Sequence, residues 1–123
     1  MLIFVVIPES VVISQTQDTI PPVFSWLSPK QFDMLSTDTI RLSVDAHDNE
    51  NGSGIKKVVF SVQYMNEDGR TTQKEIIAEV DTFPYELLWD CSNLPDQDWG
   101  KLLLHCEVTD NNGNVSENPN QPI

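Results

Sequence analysis

The feature that most constrains this fold is a repeated alternation of apolar and polar side chains. In residues 40–47 every second side chain is apolar, and the set is Ile40, Leu42, Val44 and Ala46. Neighbouring side chains of a β-strand point to opposite faces, so this pattern predicts a strand with one buried and one solvated face. No segment keeps the i, i+3, i+4, i+7 spacing of an amphipathic helix for even three turns. The sequence therefore predicts an all-β protein.

Similar alternation predicts further strands at residues 23–27, 58–64, 74–80, 85–89 and 102–108. The residues predicted to face the core are Phe24, Trp26, Val58, Phe60, Val62, Tyr64, Tyr85, Leu87, Trp89, Leu102, Leu104, Cys106 and Val108. The sequence Asn66-Glu67-Asp68-Gly69 is typical of a hairpin turn between the third and fourth strands. Six or seven short strands, with turns about every 8 to 12 residues, indicate a two-sheet β-sandwich.

The chain is short and strongly acidic. Its 123 residues suffice for one hydrophobic core and leave no room for a second of similar size. Seven Lys and Arg against nineteen Asp and Glu give a formal net charge of −12, which repels phosphate backbones and anionic lipid headgroups. We therefore expect no nucleic-acid partner and no membrane insertion.

Residues 1–17 precede the predicted strands. Residues 1–7 are apolar, but no basic residue precedes them, and Pro8 and Glu9 follow at once. A signal peptide needs a basic start, and a membrane-spanning helix needs about 20 apolar residues. We interpret residues 1–17 as an N-terminal extension, a linker or extra strand, or the remnant of a signal, and assign residues 18–123 to one domain.

Several short motifs follow one another in residues 18–114. They are Asp18-Thr19-Ile20-Pro21-Pro22, Ser28-Pro29, Ala46-His47-Asp48, Gly52-Ser53-Gly54-Ile55, Val58-Val59-Phe60, Pro84-Tyr85, Trp89-Asp90, Leu94-Pro95-Asp96 and Val108-Thr109-Asp110-Asn111-Asn112-Gly113-Asn114. Their order and spacing resemble the bacterial Ig-like domains, close to fibronectin type III in architecture, of secreted and often carbohydrate-active multidomain proteins. The resemblance implies an Ig-like two-sheet Greek-key β-sandwich of about seven strands.

The resemblance also implies a non-catalytic accessory or spacer module of a larger exported bacterial protein, acting on polysaccharide or at the cell surface. Its expected partners are neighbouring modules of the same polypeptide, and its expected location is secreted or cell surface. The alternative is a ligand-binding module of an adhesin, for a glycan or a protein surface, with or without calcium. No motif of a serine hydrolase, a zinc protease or a phosphate-binding loop occurs, and we expect this chain not to be an enzyme.

The two cysteines share the parity of core residues. Cys91 continues the set of Leu87 and Trp89, and Cys106 lies in the inward set of its own strand. We therefore predict a disulfide between Cys91 and Cys106, with two buried thiols as the alternative. The spacing of cysteine and histidine residues does not match a zinc site.

Two loops rich in Asp, Asn and Gly are predicted to meet at one end of the sandwich. In a Greek key, residues 48–52 and 110–114 lie at the same end, where Asp48, Glu50, Asp110 and Asn112 could offer oxygen ligands to calcium. Asp and Asn also close their own turns by hydrogen bonding to the backbone. We favour turn formation, keep a calcium site as the alternative, and expect no other cofactor.

Two further side chains were weighed as functional candidates. His105 alternates outward beside Cys106, so a solvated strand histidine is expected. Trp99 lies next to Gly100 in a predicted turn and is the best candidate for an exposed aromatic contact.

Overall fold

A computed structural model describes residues 18–30, 39–97, 101–117 and 120–123. Within these ranges the chain forms eight strands and no helix. The strands are β1 (Val23–Ser28), β2 (Thr39–His47), β3 (Ile55–Gln63), β4 (Glu75–Val80), β5 (Glu86–Asp90), β6 (Leu103–Asp110), β7 (Val115–Ser116) and β8 (Gln121–Pro122). Residues 1–17 and Trp99 lie outside the described residues.

The strands form two antiparallel sheets. The three-stranded sheet has the order β1-β2-β5, and the five-stranded sheet has the order β4-β3-β6-β7, with β8 also paired to β6. The chain therefore changes sheet between β2 and β3, again between β4 and β5, and again between β5 and β6. The predicted all-β, two-sheet architecture is confirmed. The strand number exceeds the expected seven because both short final strands, β7 and β8, pair with β6.

The hydrophobic core lies between the inner faces of the two sheets. Its buried members are Phe24, Trp26, Leu42, Val44, Val58, Phe60, Val62, Leu102, Leu104, Cys106, Val108 and Ile123. Trp26 and Phe60 pack across the sheets with ring centroids 5.8 Å apart. The predicted inward parity is thus confirmed for β1, β2, β3 and β6.

Two details differ from strict alternation. The side chains of Tyr85, Leu87 and Trp89 pack against the core but stay half-buried. Alternation places Ser43 on the solvent face of β2, yet Ser43 is buried. It lies in the central strand of its sheet, between Ser28 on one side and Glu86 on the other.

The strand register defines two ends of the sandwich. Val23 pairs with His47, and Ile55 pairs with Asp110, at the end we call the N-terminal pole. At the opposite end, the C-terminal pole, Thr39 pairs with Asp90 and Gln63 pairs with Leu103. Leu102 and Ile123 exchange two backbone hydrogen bonds at this second pole. The described chain thus starts β1 at one pole and ends at the other.

The expected disulfide is absent, since Cys91 and Cys106 are both thiols in the structure. Cys106 is buried in mid-strand, three residues beyond Leu103, whereas Cys91 follows the last residue of β5 at the C-terminal pole. A strand residue advances about 3.3 Å, so Cys106 lies roughly 10 Å deeper in the sandwich than that pole. A disulfide needs Cα atoms within about 7 Å of each other. Parity placed the Cys106 sulfur inward correctly but gave no information on depth.

We predict that the two thiols react at very different rates. Burial in the core, and secondarily the charge of Glu107, raises the pKa of the Cys106 thiol to about 12, and thiolate is the reactive form. Alkylation of the native protein without reductant should add one label, at the half-buried Cys91, and alkylation in denaturant should add two. Cys91→Ser should leave the native protein unlabelled. If the native protein takes no label until it is reduced, the two cysteines form a disulfide and this prediction is wrong.

Candidate functional site

Three segments meet at the N-terminal pole. They are the chain before β1, the β2–β3 loop at residues 48–54 and the β6–β7 loop at residues 111–114. They bring together Asp18, Asp48 and Asp110, which we call the acidic cluster, and one carboxylate oxygen from each lies within 4.8 Å of the others. The Asp110 side chain is fully buried and Asp18 is 7% exposed. Buried carboxylates need compensating partners, and the three loops supply them.

Asp18 joins the start of the domain to both loops. Its Oδ2 accepts hydrogen bonds from Ser53 N at 3.0 Å and Ser53 Oγ at 2.9 Å, and its Oδ1 accepts one from Ile20 N at 3.1 Å. Its backbone carbonyl accepts from Asn112 Nδ2 at 3.2 Å and Asn114 Nδ2 at 3.0 Å. One residue therefore binds segments that lie 35 and more than 90 residues away in sequence.

These contacts hold the Asp18 carboxyl in its charged form. The backbone N–H of Ser53 is the largest influence, and with further hydrogen bonds from the Ile20 N–H and the Ser53 hydroxyl it holds the pKa of Asp18 well below its usual value. Burial acts in the opposite direction and is outweighed. The charge of Asp18 is thus part of the folded structure.

Asp110 and Asp48 each close their own loop. Asp110 Oδ1 accepts from the N–H groups of Asn112 and Asn114, both at 2.9 Å, and its Oδ2 accepts from Asn114 Nδ2 at 2.9 Å. Asp48 Oδ1 accepts from Asn49 N at 3.0 Å and its Oδ2 from Gly54 N at 2.8 Å. All six carboxylate oxygens of the acidic cluster therefore accept at least one hydrogen bond.

The predicted meeting of the two loops is confirmed. Asn111 donates from its backbone N–H to Gly54 O at 2.9 Å and from Nδ2 to Ser53 O at 2.7 Å. Of the four residues proposed as calcium ligands, the structure brings together Asp48 and Asp110. Glu50 is exposed, and Asn112 turns its amide N–H to the Asp18 carbonyl.

Asp18 is the member of the site that sequence reasoning missed. It was noted only as the first residue of a motif that marks the domain start. An acid placed a few residues before the first strand must lie at the pole where that strand begins, and the β2–β3 and β6–β7 loops lie at the same pole. The position of Asp18 shortly before the first strand could therefore have identified it from the sequence as a member of the site.

The β2–β3 loop is tight around Asp48. A Cβ atom on Gly52 would lie 2.5 Å from Asp48 Oδ2 and 2.7 Å from Asn49 Oδ1, so any larger residue would force the loop to shift. The Asn49 oxygen is the buried side-chain polar atom that has no hydrogen-bond partner within the described part of the chain. The close fit explains the glycine at position 52 without any ligand.

A second concave surface lies on the solvent face of the five-stranded sheet. This groove has a volume of about 520 Å³, and its floor includes Val59 and Ser61. Lys74 and Glu117 face each other across it with Nζ and Oε1 3.9 Å apart. His105 lies in the groove as predicted for an outward residue, but it is half-buried rather than solvated.

The groove does not have the geometry of a catalytic site. His105 Nε2 lies 2.7 Å from Gln63 Oε1 and its Nδ1 lies 3.1 Å from Asn120 Oδ1, so both ring nitrogens are directed at amide side chains. Burial and the nearby Lys74 lower the pKa of His105. Ser61 is its cross-strand neighbour, yet neither ring nitrogen is oriented to take the proton of that hydroxyl.

The two-sheet sandwich and its polar pole define an Ig-like module. The family model of the bacterial Ig domain matches residues 22–98, more than half of the chain, so the chain belongs to the bacterial Ig domain family. Neither the curated proteins nor the solved structures yielded a match. Such domains are in general non-catalytic modules and commonly occur in extracellular or surface proteins.

The described residues contain no helix long and apolar enough to cross a membrane.

We predict that the charge of Asp18 stabilises the fold above acidic pH. Because its folded pKa is lowered from about 3.8, its contribution is present above that pH and is lost as the pH falls below it. Asp18→Asn should lower the urea midpoint at pH 7, and the difference from the parent protein should narrow below about pH 4. Asp45→Asn, at an exposed position on the outer face of β2, is the matched control and should change little. A deficit of Asp18→Asn that stays constant down to pH 2 would contradict this role.

We also expect calcium and magnesium to affect stability equally. Every oxygen of the acidic cluster already accepts a hydrogen bond from the loops, so the turns account for the carboxylates. Thermal unfolding in calcium, in magnesium and in chelator at fixed ionic strength should give equal midpoints. A midpoint that rises with calcium alone, by the amount expected for ligand binding to the native state, and that loses this rise in Asp48→Asn, would establish a calcium site.

Proposed function

We propose that this chain is a spacer module of a larger exported bacterial protein, placed between or beside modules that act on polysaccharide or contact the cell surface. The family supports a non-catalytic accessory role. The observation that carries the proposal is the placement of the first and last described strands. β1 starts at the N-terminal pole and β8 ends at the C-terminal pole, so modules joined before β1 and after β8 would attach at opposite ends.

The length of the module follows from its strands. The central strands β2 and β3 each have nine residues, which at about 3.3 Å per residue span roughly 30 Å. A module entered at one pole and left at the other adds this whole length to the polypeptide. A module with both ends at one pole would instead form a side branch.

The anchoring of Asp18 supports a defined spacing. Five hydrogen bonds from Ile20, Ser53, Asn112 and Asn114 hold this residue. The position of Asp18 at the N-terminal pole is therefore set by contacts within the domain. Export and a surface location are consistent with the family and with the charge of −12, which disfavours contact with polyanions.

The test is replacement of the module within its natural polypeptide. We expect deletion of residues 18–123 to impair the activity or adhesion of the whole protein, and an unrelated Ig-like domain with its ends at opposite poles and the same length to restore it. The matched control is an insert of similar mass whose two ends lie together, which should not restore it. Failure of the equal-length domain to restore function would mean that a specific surface of this chain is required.

The groove on the five-stranded sheet favours a second candidate function, binding of a neutral oligosaccharide. Its volume of about 520 Å³ lies in the range of about 300 to 1,000 Å³ typical of ligand pockets. Ser61, His105 and Asn120 contribute uncharged polar groups to its lining, next to the apolar side chains of Val59 and Ile76. Titration of labelled protein with short neutral glucans, xylans and chitooligosaccharides should shift the resonances of groove residues and spare those of the poles. Unchanged spectra with all three classes of oligosaccharide would rule out this second function and leave the spacer role as the one proposed function.

A further inference from the structure

Tension along a chain of modules would act on this domain through its two poles, and the structure connects those poles by a short path. We propose that the domain is built to resist such tension, and that the load passes from Asp18 through the β6–β7 loop and along β6 to Ile123. This inference rests on the proposed spacer function, because only a module joined at both ends is pulled in this way.

The first and last strands are oriented to be pulled lengthwise. β1 starts at the N-terminal pole and β8 ends at the C-terminal pole, so outward tension acts along both strands. The hydrogen bonds of an antiparallel ladder run perpendicular to the strands. A strand pulled along its own axis therefore loads its bonds together, whereas a strand peeled sideways breaks them one after another. Five residue pairs join β1 to β2 in this orientation.

At the N-terminal pole the load reaches Asp18 before it reaches β1. The Asp18 side chain is bonded to Ser53, next to the start of β3, and its carbonyl is bonded to Asn112 and Asn114 beyond the end of β6. Asp110, the last residue of β6, in turn binds the backbone N–H groups of Asn112 and Asn114. Tension is thereby transferred directly from the incoming chain to the five-stranded sheet.

At the C-terminal pole the load leaves from the same strand. Ile123 donates to Leu102 O at 2.8 Å and accepts from Leu102 N at 3.3 Å, and β8 pairs with β6 through Leu103 and Leu104. The buried Gln121 also donates from Nε2 to Pro29 O at 2.7 Å, which joins the last strand to the residue that follows β1. β6 thus spans the distance between both points of attachment.

The proposed path leaves part of the domain unloaded. Among the described strands, β4 pairs with β3 and β5 pairs with β2, and both lie at sheet edges. Ile77 packs against the core from β4, which pairs with neither β6 nor β8 in the described part of the chain. A substitution there weakens the fold without weakening the path, which provides the control that the proposal needs.

The experiment is single-molecule pulling of the full chain, placed between two reference domains and held at constant force. Unfolding under force reports the unfolding rate rather than the equilibrium stability. We expect Asp18→Asn, which weakens the side-chain bonds to Ser53, to unfold roughly tenfold faster than the parent chain at the same force, as for the loss of one hydrogen bond to a charged group. Asn112→Ala, which removes one bond from the β6–β7 loop to the Asp18 carbonyl, should also unfold faster under the same force. Ile77→Ala should lower the midpoint in urea while changing the rate under force by less than about twofold.

Two comparisons decide the outcome. If Asp18→Asn and Ile77→Ala accelerate unfolding under force in proportion to their losses of stability in urea, the load path is wrong. If Asp18→Asn does not fold, Ser53→Ala removes only the hydroxyl contacts to Asp18 and Asn112 and should show the same excess acceleration. The module-replacement experiment under Proposed function involves no applied load, so it tests the spacer function independently of the load path.

Discussion

The structure depends on the packing of two alternating inner faces against each other. Phe60, Leu42 and Leu104 are fully buried between the sheets, and Trp26 reaches across to Phe60. Burial of such a side chain contributes about 1.5 to 3 kcal/mol to the stability of the fold. A shift of one residue would turn all the apolar side chains of a strand to solvent, so the alternation fixes the register of each strand. Once the strands are placed, their polar connections must lie at the two ends of the sandwich, and the positions of Asp18 and Ile123 follow from that.

The acidic cluster is explained by the backbone groups around it. A buried charge is costly unless it is hydrogen-bonded, and a second carboxylate nearby raises the cost. Here the donors come from tight turns whose N–H groups have no partner in a sheet: Ser53 and Gly54 in one loop, Asn112 and Asn114 in the other. Charge and loop conformation therefore stabilise each other, and neither loop would keep its shape if its aspartate were replaced by an apolar residue.

Sequence reasoning was accurate where the physical rule is local. Alternation identified the inward faces, because side-chain direction in a strand depends only on parity. The turn at Asn66–Gly69 was identified by its residue types, since Gly69 adopts the positive φ that such a turn requires. It failed for Cys91 because parity does not report how far along the sandwich a residue lies. It also could not foresee that Gln63 and Asn120 would enclose His105, since those residues lie 42 and 15 positions away. For Asp18, the sequence could not predict the distant contacts, but it could predict the end of the sandwich at which this residue lies.

A fold shared by many proteins does not specify a function by itself, so the function of this chain depends on its particular surfaces. The sheet face carries a groove that contains two ion pairs, Lys57 with Glu79 and Lys74 with Glu117. The N-terminal pole carries contacts that join the incoming chain to both loops. These contacts fix the position of Asp18 relative to β3 and β6. The first described strand starts at this pole and the last one ends at the other. A domain entered at a fixed point and left at the opposite end favours an extended arrangement, which is the property that the proposed spacer function requires.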